Sequence, residues 1–467
     1  MYQLAKSHNY GVNTCQQCLA KQREIDRLTE ENQRLRAKLA QQKRKDQEGF
    51  FGSSTPSAQI PVKANSTEEN SKKRGGAKPG HTGHGRKQHA AEEADCIRTV
   101  AVDPLCPSCH SELIAKDVRQ RSVLDIDPIT VKRVLYRLER KECPCCGMRL
   151  QATAPGVLPK SLLSNQLLTE IVDSHYVHGI PLGRVCVRWQ LNYGTVIQAL
   201  HRLGGLCAPV IEELKMDYRQ ALVRHADETT WRTDGQSGYC WLFASDLVSL
   251  HLYRKTRSAR VVEEVLGTAP LAGYLVVDRY AGYKRVPCRV QYCYAHLLRE
   301  MKDLPTAFAD EKEVAAYADK MIELLAQAMR LQSSKPADEE YYREAERIQK
   351  EMLEVCNSAS HHLAVKRWQD FFVEEADHLY QWVEDRRVPC ENNRAERELR
   401  PTVIARKVSH GSQGEEGAKT REVLMSVMQT LKKRVADPRQ RFKEMLDHLA
   451  VNVKGKVGEL LFHVDDG

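Results

Sequence analysis

The chain has 467 residues, 42% of them hydrophobic and 28% charged, which is the balance of a globular protein. That length predicts two to four domains, because a single hydrophobic core rarely grows so large. The 71 Lys and Arg residues exceed the 62 Asp and Glu residues, for a net charge of +9, and no apolar run is long enough to predict a transmembrane helix. The 15 cysteines include several Cys-x-x-Cys pairs, a usage that favours metal binding over disulfides.

Residues 18–45 contain neither Gly nor Pro and predict a coiled-coil helix. Its seam positions are spaced alternately by three and four residues: Ile25, Leu28, Asn32, Leu35 and Leu39. Because a buried Asn at such a position favours a parallel, in-register pair, we expect a homodimer, with a solvated surface helix as the alternative. The preceding Cys15 and Cys18 receive no assignment.

Residues 46–95 are rich in Gly, Ser, Lys and Pro and predict a flexible linker. Within it, residues 71–90 hold no acid and six cations: Lys72, Lys73, Arg74, Lys78, Arg86 and Lys87. An acid-free basic arm suits a phosphate backbone, because cations that neutralise phosphates release bound counterions. We therefore expect nucleic-acid binding here; a solubilising linker is the alternative.

Residues 96–155 predict a zinc ribbon. Two Cys-Pro-x-Cys knuckles with 33 residues between them would supply the ligands Cys106, Cys109, Cys143 and Cys146, with Cys145 as an alternative to Cys146. Four thiolates complete a tetrahedral Zn²⁺ site and leave no open position, so the role would be structural.

Residues 160–215 carry helical periodicity broken at HGIP and LNYG. The pattern predicts helices at 164–177, 181–190 and 194–203, in the order of a helix-turn-helix whose last helix could enter a DNA major groove. A plain helical connector has the same pattern.

From residue 221 the pattern changes to strands. Three antiparallel strands are predicted first, then a helix at 258–267, then further strands that run parallel. This order matches that of ribonuclease H-like domains, in which the first and fourth strands are neighbours. Asp227 falls on the first of these strands and Asp278 ends the fourth, so we expect the two carboxylates side by side.

A third acid follows a long helical stretch at 296–388. Asn393, Glu396, Arg397 and Arg400 share one helix face by their spacing, so Glu396 could point at the two aspartates, and Pro401 should break or kink the helix. Glu391 and Glu398 are alternatives for the third acid. Phosphate contacts are expected from the nearby cations Arg397, Arg400, Arg406 and Lys407, and His296 of the Cys-x-x-His pair is expected to contact DNA or orient an acid.

Three converging carboxylates repel one another and raise one another's pKa. Two Mg²⁺ or Mn²⁺ ions bound by Asp227, Asp278 and Glu396 would resolve that repulsion. Such a pair activates water or a 3′-hydroxyl and stabilises the leaving oxygen in phosphoryl transfer. Taken singly, a strand-end Asp is more often a turn former and a helical Glu is more often solvated.

Together these segments resemble the insertion-sequence-66 family of DNA transposases. The resemblance is carried by the zipper and by AKPGHTGHGRK, the zinc ribbon, HADETTW, VVDRYAGY, CYAH, NNRAERELRP and ARKVSHGS. It implies a catalytic Asp-Asp-Glu triad at Asp227, Asp278 and Glu396 and a helical insertion at about 297–389. It also implies Mg²⁺-dependent cleavage of double-stranded DNA at element ends, followed by strand transfer.

The expected fold class is therefore a multidomain α+β protein. After the coiled coil, linker, ribbon and helix-turn-helix come a ribonuclease H-like α/β catalytic domain at 221–415, with its all-α insertion, and a helical tail at 416–467. We expect a cytoplasmic, nucleoid-associated protein, since residues 1–10 lack the apolar segment of a secretory signal. A need for accessory proteins stays open. The alternative functions are a non-catalytic DNA-binding regulator and a nuclease that only hydrolyses.

Overall fold

The computed structural model describes residues 148–462 continuously. Before them it describes short stretches at 27–29, 31–32, 35, 92, 104–105, 108–112, 114, 131–142 and 144–146. The chain divides into two compact units, one of Met1–Pro61 with Leu135–Gly467 and one of Val62–Val134. The predicted linker with its six cations, most of the predicted coiled coil, and the ligands Cys106 and Cys143 lie outside the described residues.

Each predicted cysteine knuckle is flanked by a short β-structure. In the larger unit, β1 (Arg140–Glu142) pairs antiparallel with β2 (Arg149–Gln151), on either side of the second knuckle. In the smaller unit, an isolated antiparallel bridge joins Leu105 and Glu112 around the first.

Within residues 148–462, four helices and a π-helical segment precede the central sheet. They are α1 (Asn165–Val172) continuing into the π-helical Asp173–Val177, α2 (Leu182–Trp189), α3 (Tyr193–Cys207) and α4 (Val210–Gln220). The three helices predicted between 164 and 203 are present. The turn between α2 and α3 is made by Gln190 in a left-handed conformation and by Asn192, whose side chain caps α3.

The central sheet has five strands in the spatial order β5-β4-β3-β6-β7. The strands are β3 (Val223–Thr233), β4 (Gln236–Ala244), β5 (Ser249–Arg254), β6 (Tyr274–Val277) and β7 (Arg289–Tyr292), with α5 (Ala259–Leu266) between β5 and β6. The first three strands are antiparallel, whereas β3, β6 and β7 are parallel. The mixed α+β class and the adjacency of the first and fourth strands are therefore confirmed.

Helices fill the predicted insertion between β7 and the third acid. They are α6 (Tyr294–Ala307), α7 (Lys312–Ser334), α8 (Asp338–Cys356), α9 (Leu363–Glu374), α10 (Ala376–Leu379) and α11 (Gln381–Glu384). The insertion returns to the sheet beside β7, where Gln291 donates a hydrogen bond to the carbonyl of Leu379 at 3.0 Å.

The last four helices are α12 (Asn393–Ser409), α13 (Glu415–Arg434), α14 (Pro438–Val451) and α15 (Val457–Phe462). The expected break at Pro401 is wrong, because α12 runs through it. No helix in the described part of the chain is long and apolar enough to cross a membrane.

Helix α13 packs along the β5 edge of the sheet and accepts hydrogen bonds from its backbone. The backbone N–H groups of Ser249, His251 and Tyr253 donate to side chains of α13 at 2.8–3.1 Å; the acceptors are Thr430, Ser426 and Glu422. The acceptors recur every four residues along α13, an advance of about 6 Å, and the donors recur every two residues along β5, an advance of about 6.6 Å. These two spacings nearly match, so the helix can pair with the strand at three successive positions. An exposed edge strand would otherwise invite pairing with another chain.

Candidate active site

The first predicted acid lies on β3, and the second directly follows β6, the parallel neighbour of β3. The β3–β6 register ends with His225 paired to Val276, and its continuation by two residues along each chain would set Asp227 opposite Asp278. Adjacent strands lie about 4.8 Å apart, which brings the backbones of the two aspartates close together. Asp227 is 1% exposed, so it belongs to the interior of the sheet.

Two acids stand in succession on β3, and the pleat directs them to opposite faces of the sheet. Asp227 pairs with Leu242, which belongs to the small core cluster that includes Ala395 and Leu399 of α12. Glu228 pairs with Trp241, which belongs to the large core cluster on the other face. Asp227 therefore lies on the face that α12 covers.

Asn392 fixes the start of α12 onto β3. Its side chain donates to the carbonyl of Ala226 at 2.8 Å and lies 2.9 Å from Nδ1 of His225, while its backbone N–H donates to Sγ of Cys293 at 3.1 Å. Asn392 is fully buried, and it accepts a backbone hydrogen bond from Glu396 one helical turn later. The third acid is thus held over the strand that carries Asp227.

The far end of α12 is fixed to the same strand. Ser412 exchanges backbone hydrogen bonds with Arg232 and Asp234, and its hydroxyl accepts from Nε1 of Trp231. Gly411 makes this approach feasible, because it has a φ of 141° and a Cβ there would meet the Arg232 carbonyl oxygen at 2.2 Å.

Glu396 is buried and held by a cation from α6. Its Oε1 accepts from Nη2 of Arg299 at 3.1 Å, and only 3% of the residue is exposed. Burial raises the pKa of the Glu396 carboxyl, and Arg299 opposes that shift. The ionised form is therefore costly unless a cation stays beside it.

Asp278 and Glu228 also carry raised pKa values. Burial raises the pKa of Asp278, against the backbone N–H of Tyr280, which donates to Oδ1 at 2.9 Å, and against Arg257. Burial and then the Asp278 charge raise the pKa of Glu228 to about 7. Several buried carboxyl groups with raised pKa values in one region are typical of functional sites.

These carboxylates are suitable donors for hard divalent cations, which prefer oxygen ligands. In the arrangement described, however, no three Asp, Glu, His or Cys side chains among the described residues stand close enough to hold a metal ion. Glu396 is instead engaged by Arg299. The donor chemistry fits Mg²⁺ or Mn²⁺, and binding would require Glu396 to exchange this guanidinium for the ion.

The predicted DNA-contacting residues on and near α12 fall into two groups. Arg397, Arg400 and Lys407 are exposed. Arg406 is directed inward and donates to the side chains of Thr229 and Thr230. For His296, no described group lies within hydrogen-bond distance of its buried Nδ1, and burial followed by Arg299 lowers its pKa to about 3.

Among the site residues that sequence reasoning missed are Asn392, Glu228 and Arg257. Each stands next to or near a motif that was used, in NNRAER, HADETTW and the stretch before the predicted helix at 258–267. The signal for Glu228 was a second acid directly after Asp227 on a buried strand. Nothing local marked Arg257, because its partners come from β3 and from the segment after β6.

Comparison with known proteins assigns the chain to a family of transposases. A family model described as Transposase IS66 family matches residues 160–420, more than half of the chain, and this range includes all three acids. Two relatives from Sinorhizobium fredii (strain NBRC 101917 / NGR234), the uncharacterized proteins y4hP and y4qI, are 23% and 24% identical. These alignments cover 78% and 80% of this chain and 74% and 76% of the relatives.

Proposed function

Because the chain belongs to the Transposase IS66 family, we propose that it is a DDE-type enzyme that cuts DNA at the ends of a mobile element and joins those ends to target DNA. The observation that supports the proposal most directly is the parallel β3–β6 register, whose continuation by two residues would set Asp227 opposite Asp278. The strand order β5-β4-β3-β6-β7 supports a ribonuclease H-like catalytic domain.

In this proposal Asp227, Asp278 and Glu396 hold two Mg²⁺ or Mn²⁺ ions. When bound, the ions activate the attacking oxygen and stabilise the leaving oxygen of a phosphodiester. The parallel β3–β6 ladder ends two residues before each aspartate and would hold the two close together, and Asn392 holds the start of the helix that carries Glu396. Arg299 opposes the rise in the pKa of the buried Glu396 carboxyl, and a bound cation would take over this compensation.

Double-stranded DNA is the proposed partner. The exposed cations Arg397, Arg400 and Lys407 would bind its phosphates beside the acids. The linker cations would add sequence-independent affinity, and the α2–α3 pair would read the element end. Pairing of two copies through residues 18–45 is part of the same proposal.

The two cysteine knuckles are proposed to hold a structural Zn²⁺. Support comes from the short β-structures that flank each knuckle, at Leu105–Glu112 and at β1–β2. Zinc content measured by atomic absorption should fall from one ion per chain to none in Cys109→Ser. Unchanged zinc in that variant would reject the site.

The activity is tested by incubating the protein with DNA that carries its element ends, plus Mg²⁺, and sequencing the products. The wild type should cut at the ends and join them to target DNA, whereas Asp278→Asn should bind the ends and cut none. Asp319→Asn, which alters an exposed aspartate on α7, is the matched control and should behave as wild type. Cleavage by Asp278→Asn at the wild-type rate would reject the assignment.

The same assay separates the alternative functions. A regulator would bind the ends without cutting under any metal condition. A nuclease that only hydrolyses would cut, but it would fail to join pre-cleaved ends to a target.

A further inference from the structure

Arg257 lies between the buried Glu228 and the proposed metal ligand Asp278. Its Nε donates to Oε1 of Glu228 at 2.6 Å, and its Nη2 ion-pairs with the same oxygen. The same Nη2 lies 3.9 Å from Oδ2 of Asp278. One guanidinium therefore faces both acids.

Arg257 is itself held from several sides. Its guanidinium lies 4.0 Å from the ring centre of Tyr280, and the Tyr280 hydroxyl donates to the Arg257 carbonyl. Its anchor Glu228 is 0% exposed and accepts from the Tyr283 hydroxyl at 2.9 Å through its second oxygen. Since a guanidinium is a planar fork of donors, these contacts fix the position and the orientation of the Arg257 side chain.

Both oxygens of Asp278 thereby meet a defined neighbour. Oδ1 accepts from the backbone N–H of Tyr280, and Oδ2 faces Arg257. Tyr280 takes part twice, through its N–H to Asp278 and through its ring under Arg257. In the network Glu228–Arg257–Tyr280, the anchor Glu228 lies on the sheet face opposite to α12.

We propose that Arg257, anchored by Glu228, is a positioning residue that holds the Asp278 carboxylate in the orientation that binds metal. The proposal rests on the proposed function, in which Asp278 is a metal ligand. Groups that orient a metal ligand typically change metal affinity about 10- to 100-fold when altered. Arg257 touches neither DNA nor metal in this role and acts through Asp278.

A purely structural ion pair is the competing explanation, and the chain offers a matched control for it. Arg254, three residues earlier, pairs with Glu264 at 2.6 Å and with Glu422 at 2.7 Å. The side chains of Arg254 and Arg257 are 28% and 26% exposed, so the two arginines are about equally accessible to solvent. Only Arg257 faces an acid of the site.

The test measures Mn²⁺ binding to the full-length protein by electron paramagnetic resonance, with unfolding followed in parallel. Arg257→Lys keeps the charge and loses the fork, and it should weaken Mn²⁺ binding about 10-fold or more. Glu228→Gln, which removes the anchor charge but keeps the side-chain size, should weaken it in the same direction. Arg254→Lys should bind Mn²⁺ as the wild type does.

The proposal is overturned if Arg257→Lys and Glu228→Gln bind Mn²⁺ with wild-type affinity, or if Arg254→Lys weakens binding as much as they do. Asp278→Asn separates this failure from failure of the proposed function. If Asp278→Asn loses Mn²⁺ binding while both network variants keep it, only the positioning role fails. If Asp278→Asn also binds normally, the metal assignment itself fails.

Discussion

The β5 edge of the sheet and its centre, where β3 meets β6, satisfy their polar groups in different ways. At the edge, every second backbone N–H of β5 finds an acceptor on α13, and two of the three acceptors are neutral hydroxyls of Ser426 and Thr430. At the centre, the carboxyls of Glu228, Asp278 and Glu396 all have raised pKa values; arginines oppose the shift at Glu228 and Glu396, and the backbone N–H of Tyr280 followed by Arg257 opposes it at Asp278.

The difference indicates which region serves stability and which serves chemistry. A satisfied neutral hydrogen bond contributes to stability, whereas burying charges of one sign costs free energy. A chain selected only for folding would replace the central acids with apolar residues. Keeping several buried acids in one region despite this cost is the pattern of a functional site.

Glu396→Gln should have the largest effect on activity and almost none on folding. Cleavage should fall about 100-fold or more, which corresponds to roughly 2.7 kcal/mol of barrier. The melting temperature should stay unchanged or rise, because a buried carboxyl with a raised pKa is removed. Glu391→Gln, on a half-buried acid just before α12 begins, is the control; an equal loss there would contradict the choice of Glu396.

Asn392→Ala should affect both folding and cleavage. It leaves the Ala226 carbonyl and the His225 ring without their side-chain partner, so unfolding free energy should fall by about 1–3 kcal/mol. Cleavage should also fall, since the start of α12 loses its anchor. The neighbouring Asn393→Ala should change urea unfolding less; equal losses would show that Asn392 has no special role.

Ser426→Ala should affect folding alone. It leaves the buried N–H of His251 without its acceptor and should cost about 1–3 kcal/mol in chemical denaturation. Ser333→Ala, at an exposed serine of α7, should cost almost nothing. Cleavage per folded molecule should stay at the wild-type level, and a specific loss of cleavage would break the division between the two regions.

One titrating group in each region should make the free energy of unfolding depend on pH, and the two dependences should have opposite signs. Each slope should reach at most about 1.4 kcal/mol per pH unit. Burial lowers the pKa of His251 from 6.5 to about 3, so the unfolded chain alone binds the proton and stability falls as pH drops through this window. The pKa of Glu228 is raised from 4.5 to about 7, so stability falls as pH rises through that window.

Urea unfolding between pH 5 and pH 7 in the presence of a chelator measures both slopes. His251→Asn should reduce the loss of stability toward pH 5, and Glu228→Gln should reduce the loss toward pH 7. A change of both slopes in the same direction would contradict the comparison.

The sequence predicted the sheet and both aspartates because those signals are local. Strand patterns, turn residues and the order of elements were enough to predict that the strand of Asp227 neighbours the strand that Asp278 directly follows. The helical insertion was likewise readable, since 296–388 lacks glycine and keeps helical periodicity.

The contacts of α13 with β5 and the contacts of Arg257 with the two acids could not be predicted from local sequence patterns. Contacts such as Ser249 with Thr430 or Arg257 with Asp278 join residues far apart in the chain, and only the folded arrangement pairs them. The break expected at Pro401 was wrong because packing of Ala395, Leu399 and Ala405 against the sheet holds α12 together on both sides of the proline. Tertiary packing outweighs local propensity at such positions.

The central claim is that Asp278 binds the catalytic metal, and Asp278→Cys tests it most directly. Mg²⁺ prefers carboxylate oxygen and binds thiolate poorly, whereas Mn²⁺ lies farther along the series of metals that accept softer ligands. Cleavage of element-end DNA by this variant should be lost in Mg²⁺ and partly restored in Mn²⁺. Wild-type cleavage in Mg²⁺, or an equal loss in both metals, would contradict the account.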